Sequence, residues 1–375
     1  MYPRIQKAFA LLVCLGSVLM STSIPDRAAG AEGTSRHLLY VAAPGLRNYL
    51  EYGGIGIIVF DMDKQYKFVK RIPTWKLVPG QKPENVKGIA ASSKTGRLYV
   101  TTQNRMASFD LASDKKVWDK TYDGGCDRMA ISPDGKTLYV PSFEGPFWTV
   151  VDALNGDVIG KVETNSGSHN TIYAADGSKV YLAGLHLNYL VVADPATRGV
   201  VKRVGPFSNV IRPFTVNGSN TRCFVNVNDL LGFEVGDIST GKQLCKVQVQ
   251  GFEKGPTKRH GCPSHGIALT PDEKELWLAD GVNNYVHIFD NTVMPPKQIA
   301  SIKTRDMPGW ITLSIDGRYV IPSSGDIIDR RSRHIVNTLQ DENGQQVQSE
   351  KLLEIDFNGG RAVRAGNQFG VGEHR

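Results

Sequence analysis

This chain has no G-x-S-x-G nucleophile elbow, no phosphate-cradling P-loop and no G-x-G-x-x-G after a strand. The usual serine-hydrolase, nucleotide-triphosphatase and dinucleotide-binding signatures are therefore missing. Basic residues form no block. The formal charge of +7 is spread along the chain, and no nucleic-acid partner is expected. Beyond the N-terminus no apolar run is long enough to span a bilayer, so no stable membrane span is expected. Cysteine is scarce, with five in 375 residues and none in a C-x-x-C-H haem-attachment spacing. Core-forming residues are present in ordinary supply, at 41% hydrophobic against 22% charged.

The first residues read as a secretory signal peptide, 1–31. Arg4 and Lys7 supply a basic start, Ala8 to Met20 an apolar stretch, and Ala29-Gly30-Ala31 a small-residue cleavage site before Glu32. Cys14 follows Val13, where a lipoprotein signal would want a small residue, so no lipid anchor is expected. The remainder, 32–375, is expected to work outside the cytoplasm, in the periplasm or secreted. That compartment permits disulfides among Cys126, Cys223, Cys245 and Cys262, although spacing alone does not pair them. Cys223 and Cys245 fall on strands and read as buried small hydrophobes.

Short β-branched or aromatic runs recur through this region: Leu38–Val41, Arg97–Val100, Thr137–Val140, Lys179–Leu182, Arg222–Val225, Glu275–Leu278 and Arg318–Ile321. From Arg97 onward they start roughly 40 to 50 residues apart, the period of a propeller blade. Each repeat reads as four strands, a to d. Turns such as Ser132-Pro133-Asp134-Gly135 join a to b, and an aspartate (Asp61, Asp110, Asp194, Asp237, Asp290) opens the c–d turn. An aspartate at every such turn is a turn-former before it is a catalyst. The expected fold is all-β: a single seven-bladed β-propeller of four-stranded antiparallel blades. The first repeat lacks a strand a, and the spare apolar segment Leu352–Phe357 is expected to pair with it and close the ring, removing exposed sheet edges.

The run Ile131-Ser132-Pro133-Asp134-Gly135-Lys136-Thr137-Leu138-Tyr139-Val140 resembles the signature of bacterial YVTN/YncE-type β-propeller repeat proteins. The resemblance spans nearly all of the chain after the signal peptide. It departs at Asn217-Gly218-Ser219-Asn220, which replaces the Pro-Asp-Gly turn. It implies fold rather than activity, because similar propellers include lactonases, quinone and copper enzymes, and binding scaffolds. It also implies that a site would lie on the face built from the loops before strand a and between b and c.

Aligned on the a–b turn, the residues just before strand a are Lys87, Asp127, His169, Arg212, His265 and Gly309; the next column is Gly88, Arg128, Asn170, Pro213, Gly266 and Trp310. In a ring these converge on the mouth of the central channel, and convergent polar groups in a concavity are the default site. The expected binding set is Lys87, Asp127, Asn170 and Trp310, with Tyr49 and His186 from b–c loops on the same face. The insertion before the sixth strand a carries His260, Cys262 and His265, donor types that bind copper or zinc. A Cys126–Cys262 disulfide is the competing reading of that insertion. Besides a structural or surface-interaction protein whose polar mouth is incidental, two functions remain open. One is binding of a small molecule or protein partner at the mouth. The other is an enzyme at the same mouth: a lactonase-like hydrolase with His169 or His265 as base and Arg128 or Arg212 steadying an oxyanion, or a copper- or zinc-dependent oxidoreductase.

Overall fold

The computed structural model describes residues 35–258 and 260–373, together with Met1 and Pro3. The expected signal peptide therefore lies, but for those two residues, outside the described residues, as does Arg259. Among the described residues no helix is long and apolar enough to cross a membrane.

The strands form seven sheets, six of four strands and one of five. Among the described residues the strands of each sheet pair antiparallel, as short turns between consecutive strands require. The innermost strands of blades 2 to 7 are Val86–Ser92, Ala130–Ile131, Ser168–Tyr173, Ile211–Val216, Ser264–Leu269 and Ile311–Leu313. The all-β, seven-bladed expectation holds.

Blade 1 joins both ends of the described chain. The strand Leu352–Asn358 occupies its inner position and pairs with Ser35–Ala43, Leu353 facing Tyr40. The expected closure by Leu352–Phe357 is therefore present. Leu39 and Val41 of blade 1 pack with Ile321 and Ile327 of blade 7, which seals the seam. Between blades the same position of strand b repeatedly supplies a large buried ring: Tyr40, Tyr99, Tyr139, Tyr181, Phe224 and Trp277 are each no more than 1% exposed. Burying one such side chain is worth about 1.5–3 kcal/mol, so the repeat that marks the sequence also glues neighbouring blades.

The c–d turn aspartates do structural work. Asp110, Asp194 and Asp290 each accept a hydrogen bond from a backbone N–H two or three residues on, at 2.8–2.9 Å.

One feature had no sequence signal. After Leu352–Asn358 the chain makes a fifth strand, Arg361–Ala365, and then crosses the end of the channel remote from the strand-a starts. Gln368 accepts from the Ile89 N–H at 3.2 Å and donates to the Met129 carbonyl at 2.9 Å, while its own carbonyl accepts from the Trp310 indole at 2.6 Å. Gly370 accepts from the Thr215 hydroxyl and from the Leu269 N–H. One short tail thus ties strands a of five blades together.

Candidate functional site

Counted back from the paired residues of each inner strand, Lys87, Asp127, His169, Arg212, His265 and Gly309 fall at one level, and the closing strand adds Glu350 as the seventh member; Lys87, His169, Arg212 and His265 each sit in a β-bulge without a ladder partner. One step inward stand Gly88, Arg128, Asn170, Pro213, Gly266 and Trp310, joined by Lys351. Glu350 and Lys351 were missing from the sequence columns. Their signal is in the sequence: Leu352–Phe357 takes the place of the missing strand a, and the two residues just before it belong to the columns.

On one side of the mouth, the Asp127 carboxylate accepts from His169 Nδ1 at 2.6 Å. Lys87 Nζ lies 4.0 Å from the other Asp127 oxygen and 4.6 Å above the Phe143 ring. Burial pushes the Asp127 carboxyl up, but the neighbouring His169 and Lys87 outweigh it and hold it below its ordinary value.

Across the channel, Glu350 gathers the other charges. Its Oε2 accepts from Arg128 Nη2 at 3.1 Å and from Lys351 Nζ at 2.9 Å, and its Oε1 lies 3.1 Å from His260 Nε2. Burial pushes the Glu350 carboxyl up, but Lys351, His260 and Arg128 hold it well below its ordinary value. Burial drives the Lys351 ammonium the other way, down to about 8. Arg128 is sandwiched: its guanidinium sits 3.4 Å from the Trp310 ring centroid while it binds Glu350. With its side chain 3% exposed, it is a structural tie across the axis rather than the free oxyanion-stabilising cation expected.

His265 is buried, and its Nδ1 lies 2.8 Å from the Gly309 carbonyl. A carbonyl only accepts, so Nδ1 carries the proton and Nε2 the lone pair. Burial, and then the charge of His260, hold its pKa well below the ordinary value, so the ring is neutral at pH 7. The His260 ring stacks on it, centroids 4.2 Å apart at 18°. Gly309 explains how His260 fits. A Cβ there would fall onto His260 Nε2 and lie 2.6 Å from Glu350 Oε1, so the blade that lacks a column side chain receives one from the insertion.

Two expectations for this insertion need correction. Cys262 is not with the imidazoles: its buried Sγ donates to the Ser264 carbonyl at 3.0 Å. Among the described residues, the three donors that approach one another are His260, His265 and Glu350, all within 4.8 Å. The Cys126–Cys262 disulfide is not formed either. Both thiols are free, and Cys126 packs in an interblade core with Met106, Tyr122 and Met129.

The remaining candidates divide. Arg212 Nε donates to Asn228 Oδ1 at 2.6 Å, and its guanidinium lies beside Gly261 of the insertion. Asn170 is fully buried, and neither atom of its amide has a hydrogen-bond partner. The His186 ring lies over Gly167, two residues before His169, on the rim of blade 4. Tyr49 is 38% exposed and packs edge-on against Tyr52, as a self-packed surface loop would. Trp310 is the floor beneath Arg128.

No family model matches this chain, and no curated protein does. Among solved structures, the dihydro-haem d1 dehydrogenase NirN in complex with DHE aligns at 14% identity over 88% of this chain and 73% of its own, with a TM-score of 0.59. The Kuenenia stuttgartiensis hydrazine synthase aligns at 14% identity over 69% of this chain and 97% of its own, with a TM-score of 0.46. At such identity the likeness to NirN is one of fold. The propeller stands, while the finer YVTN/YncE resemblance rests on the repeat turns alone.

Proposed function

We propose that the channel mouth binds a small anionic molecule, one bearing a carboxylate or phosphate group. The observation that carries this is the order of charges by depth. The carboxylates lie low and are engaged: the Asp127 side chain is 2% exposed and that of Glu350 7%. Above them the Lys87, His169 and His260 side chains keep 17%, 14% and 12% exposure. Arg128 and Lys351 lie as deep as the carboxylates and are engaged by Glu350, so the cations left toward the opening are Lys87 and Arg212. A ligand approaching the mouth therefore meets cations and imidazoles first. Phe143 offers an apolar wall beside Lys87. The signal-like N-terminus supports an extracytoplasmic address for this activity, and N-terminal sequencing of exported protein checks it.

The test is a saturation-transfer NMR screen of small carboxylates and phosphate esters, followed by calorimetry on the hits. Binding weakens with salt and falls at least tenfold in Lys87→Ala and in Arg212→Ala. Equal affinity in both variants, or preference for cationic ligands, overturns the reading.

The Asp127–His169 pair favours a second reading, hydrolysis of a lactone or ester at the same mouth. With Nδ1 donating to the carboxylate, His169 Nε2 is left as the base. Acid release from a lactone panel that survives His169→Gln unchanged excludes it.

A further inference from the structure

We propose that His260, His265 and Glu350 form a three-ligand site for a divalent first-row transition-metal ion of the zinc class, with its open position available to the mouth. This deepens the reading above and rests on it for where the site lies. Two imidazole nitrogens and a carboxylate oxygen form a donor set suited to zinc, copper, nickel or iron rather than calcium or magnesium. Their ligating atoms lie within 4.8 Å of one another. A tetrahedral ion with bonds of about 2.0–2.2 Å sets its donors roughly 3.3–3.6 Å apart, so the group closes by about 1 Å at its widest and the stacked His260 ring turns out of parallel with His265 to bring both in-plane lone pairs onto the ion.

The surroundings are arranged as outer-shell partners would be. The Gly309 carbonyl fixes the His265 tautomer, leaving Nε2 as the lone-pair nitrogen, which is the usual role of a carbonyl behind a ligating histidine. Arg128 and Lys351 both bind Glu350 Oε2, which turns Oε1 toward the imidazoles. Gly309 is the residue that leaves room, since any side chain there would occupy the space between His260 and Glu350. The two cations on Oε2 oppose a dication. An anion in the open position offsets them, which ties the metal to the anionic ligand already inferred.

The competing account is a bare His260–Glu350 ion pair stacked on His265. The full chain, stripped with a chelator, is dialysed against zinc(II), and bound metal is measured by mass spectrometry. The expected result is one equivalent per chain. Affinity falls by more than about 100-fold in His260→Ala and in Glu350→Gln, beyond the 10–100-fold that losing an outer-shell partner costs. Circular dichroism checks that each variant folds. Cobalt(II) gives a readout needing no variant, because a two-histidine site shows two imidazole N–H proton signals shifted far outside the diamagnetic range. Wild-type protein that takes up no stoichiometric zinc, or a folded His260→Ala variant with unchanged affinity, overturns the inference in favour of the ion pair. Lys87→Ala separates the two readings: it loses the anion and keeps zinc. Zinc binding without anion binding in wild type would overturn the anion reading alone, and anion binding without zinc would overturn this inference alone.

Discussion

Glu350→Ala in metal-free protein probes the axis of the ring. Its carboxylate is the shared partner of Arg128, Lys351 and His260, and the Arg128 and Lys351 side chains are only 3% and 6% exposed. Removing it leaves Arg128 buried with only the more distant Asp127 as counter-charge, and takes from Lys351 the carboxylate that keeps its ammonium charged. Breaking one buried pair in this way costs about 3–5 kcal/mol. Unfolding entropy of about 2.1 cal/mol/K per residue over roughly 340 residues converts that into a melting shift of about 4–7 °C. Thermal melts and urea denaturation followed by far-UV circular dichroism read both quantities. The double variant Glu350→Ala/Arg128→Met should recover part of the loss, because it deletes one stranded charge and keeps an apolar contact with Trp310. A loss under about 1 kcal/mol, or none recovered in the double variant, would show that Glu350 is not the counter-ion of the axis.

Three further outcomes follow from the same geometry. Burial, helped by neighbouring Asp356, pushes the Glu354 carboxyl up to about 8, while its Oε2 accepts from the Ile315 N–H at 2.6 Å. The folded state then holds a proton that an unfolded glutamate releases above about 4.3, so this group's contribution is full below that pH and is lost as pH rises through about 8. Glu354→Gln should match wild type near pH 4 and exceed it at pH 8.5 by on the order of 2–4 kcal/mol; equal stability at both pH values would contradict this. Asp280 accepts from the Val282 and Asn283 N–H groups at 2.8 and 2.9 Å and lies 3.1 Å from His287 Nε2, both side chains being fully buried. Asp280→Ala should cost about 3–5 kcal/mol in urea melts and leave mouth binding intact; a neutral effect would mean His287 needs no partner. Ending the chain at Ala365 removes the Gln368 and Gly370 ties, so amide exchange at Ile89 and Leu269 should accelerate by at least tenfold, whereas unchanged protection would mean the tail merely rests on the blades.

The architecture was legible because it repeats. A buried ring at one place in strand b and an Asx-turn after strand c recur often enough for tertiary context not to erase them. Leu352–Phe357 was legible as the closing strand because blade 1 visibly lacked its inner member. Less of the site could be read. Lys87, Asp127, His169 and His265 follow from register, but Glu350 and Lys351 required counting the closing strand as a seventh column member. Spacing in a loop says nothing about which side chains turn inward, and Cys262 turns to the Ser264 carbonyl rather than to the imidazoles. The place of His260 depends on the missing side chain of Gly309, 49 residues later, a relation only the closed ring creates. The tail from Gly366 to Glu373 has no periodicity, since its bonds are mostly backbone ties to other blades.

Anomalous diffraction from crystals soaked in bromide tests the convergence of cations at the mouth most directly. The expected result is the strongest peak at the channel mouth, within contact distance of Lys87 and Arg212, and its loss in Lys87→Ala. A mouth without bromide, with peaks confined to the outer strands, would contradict it.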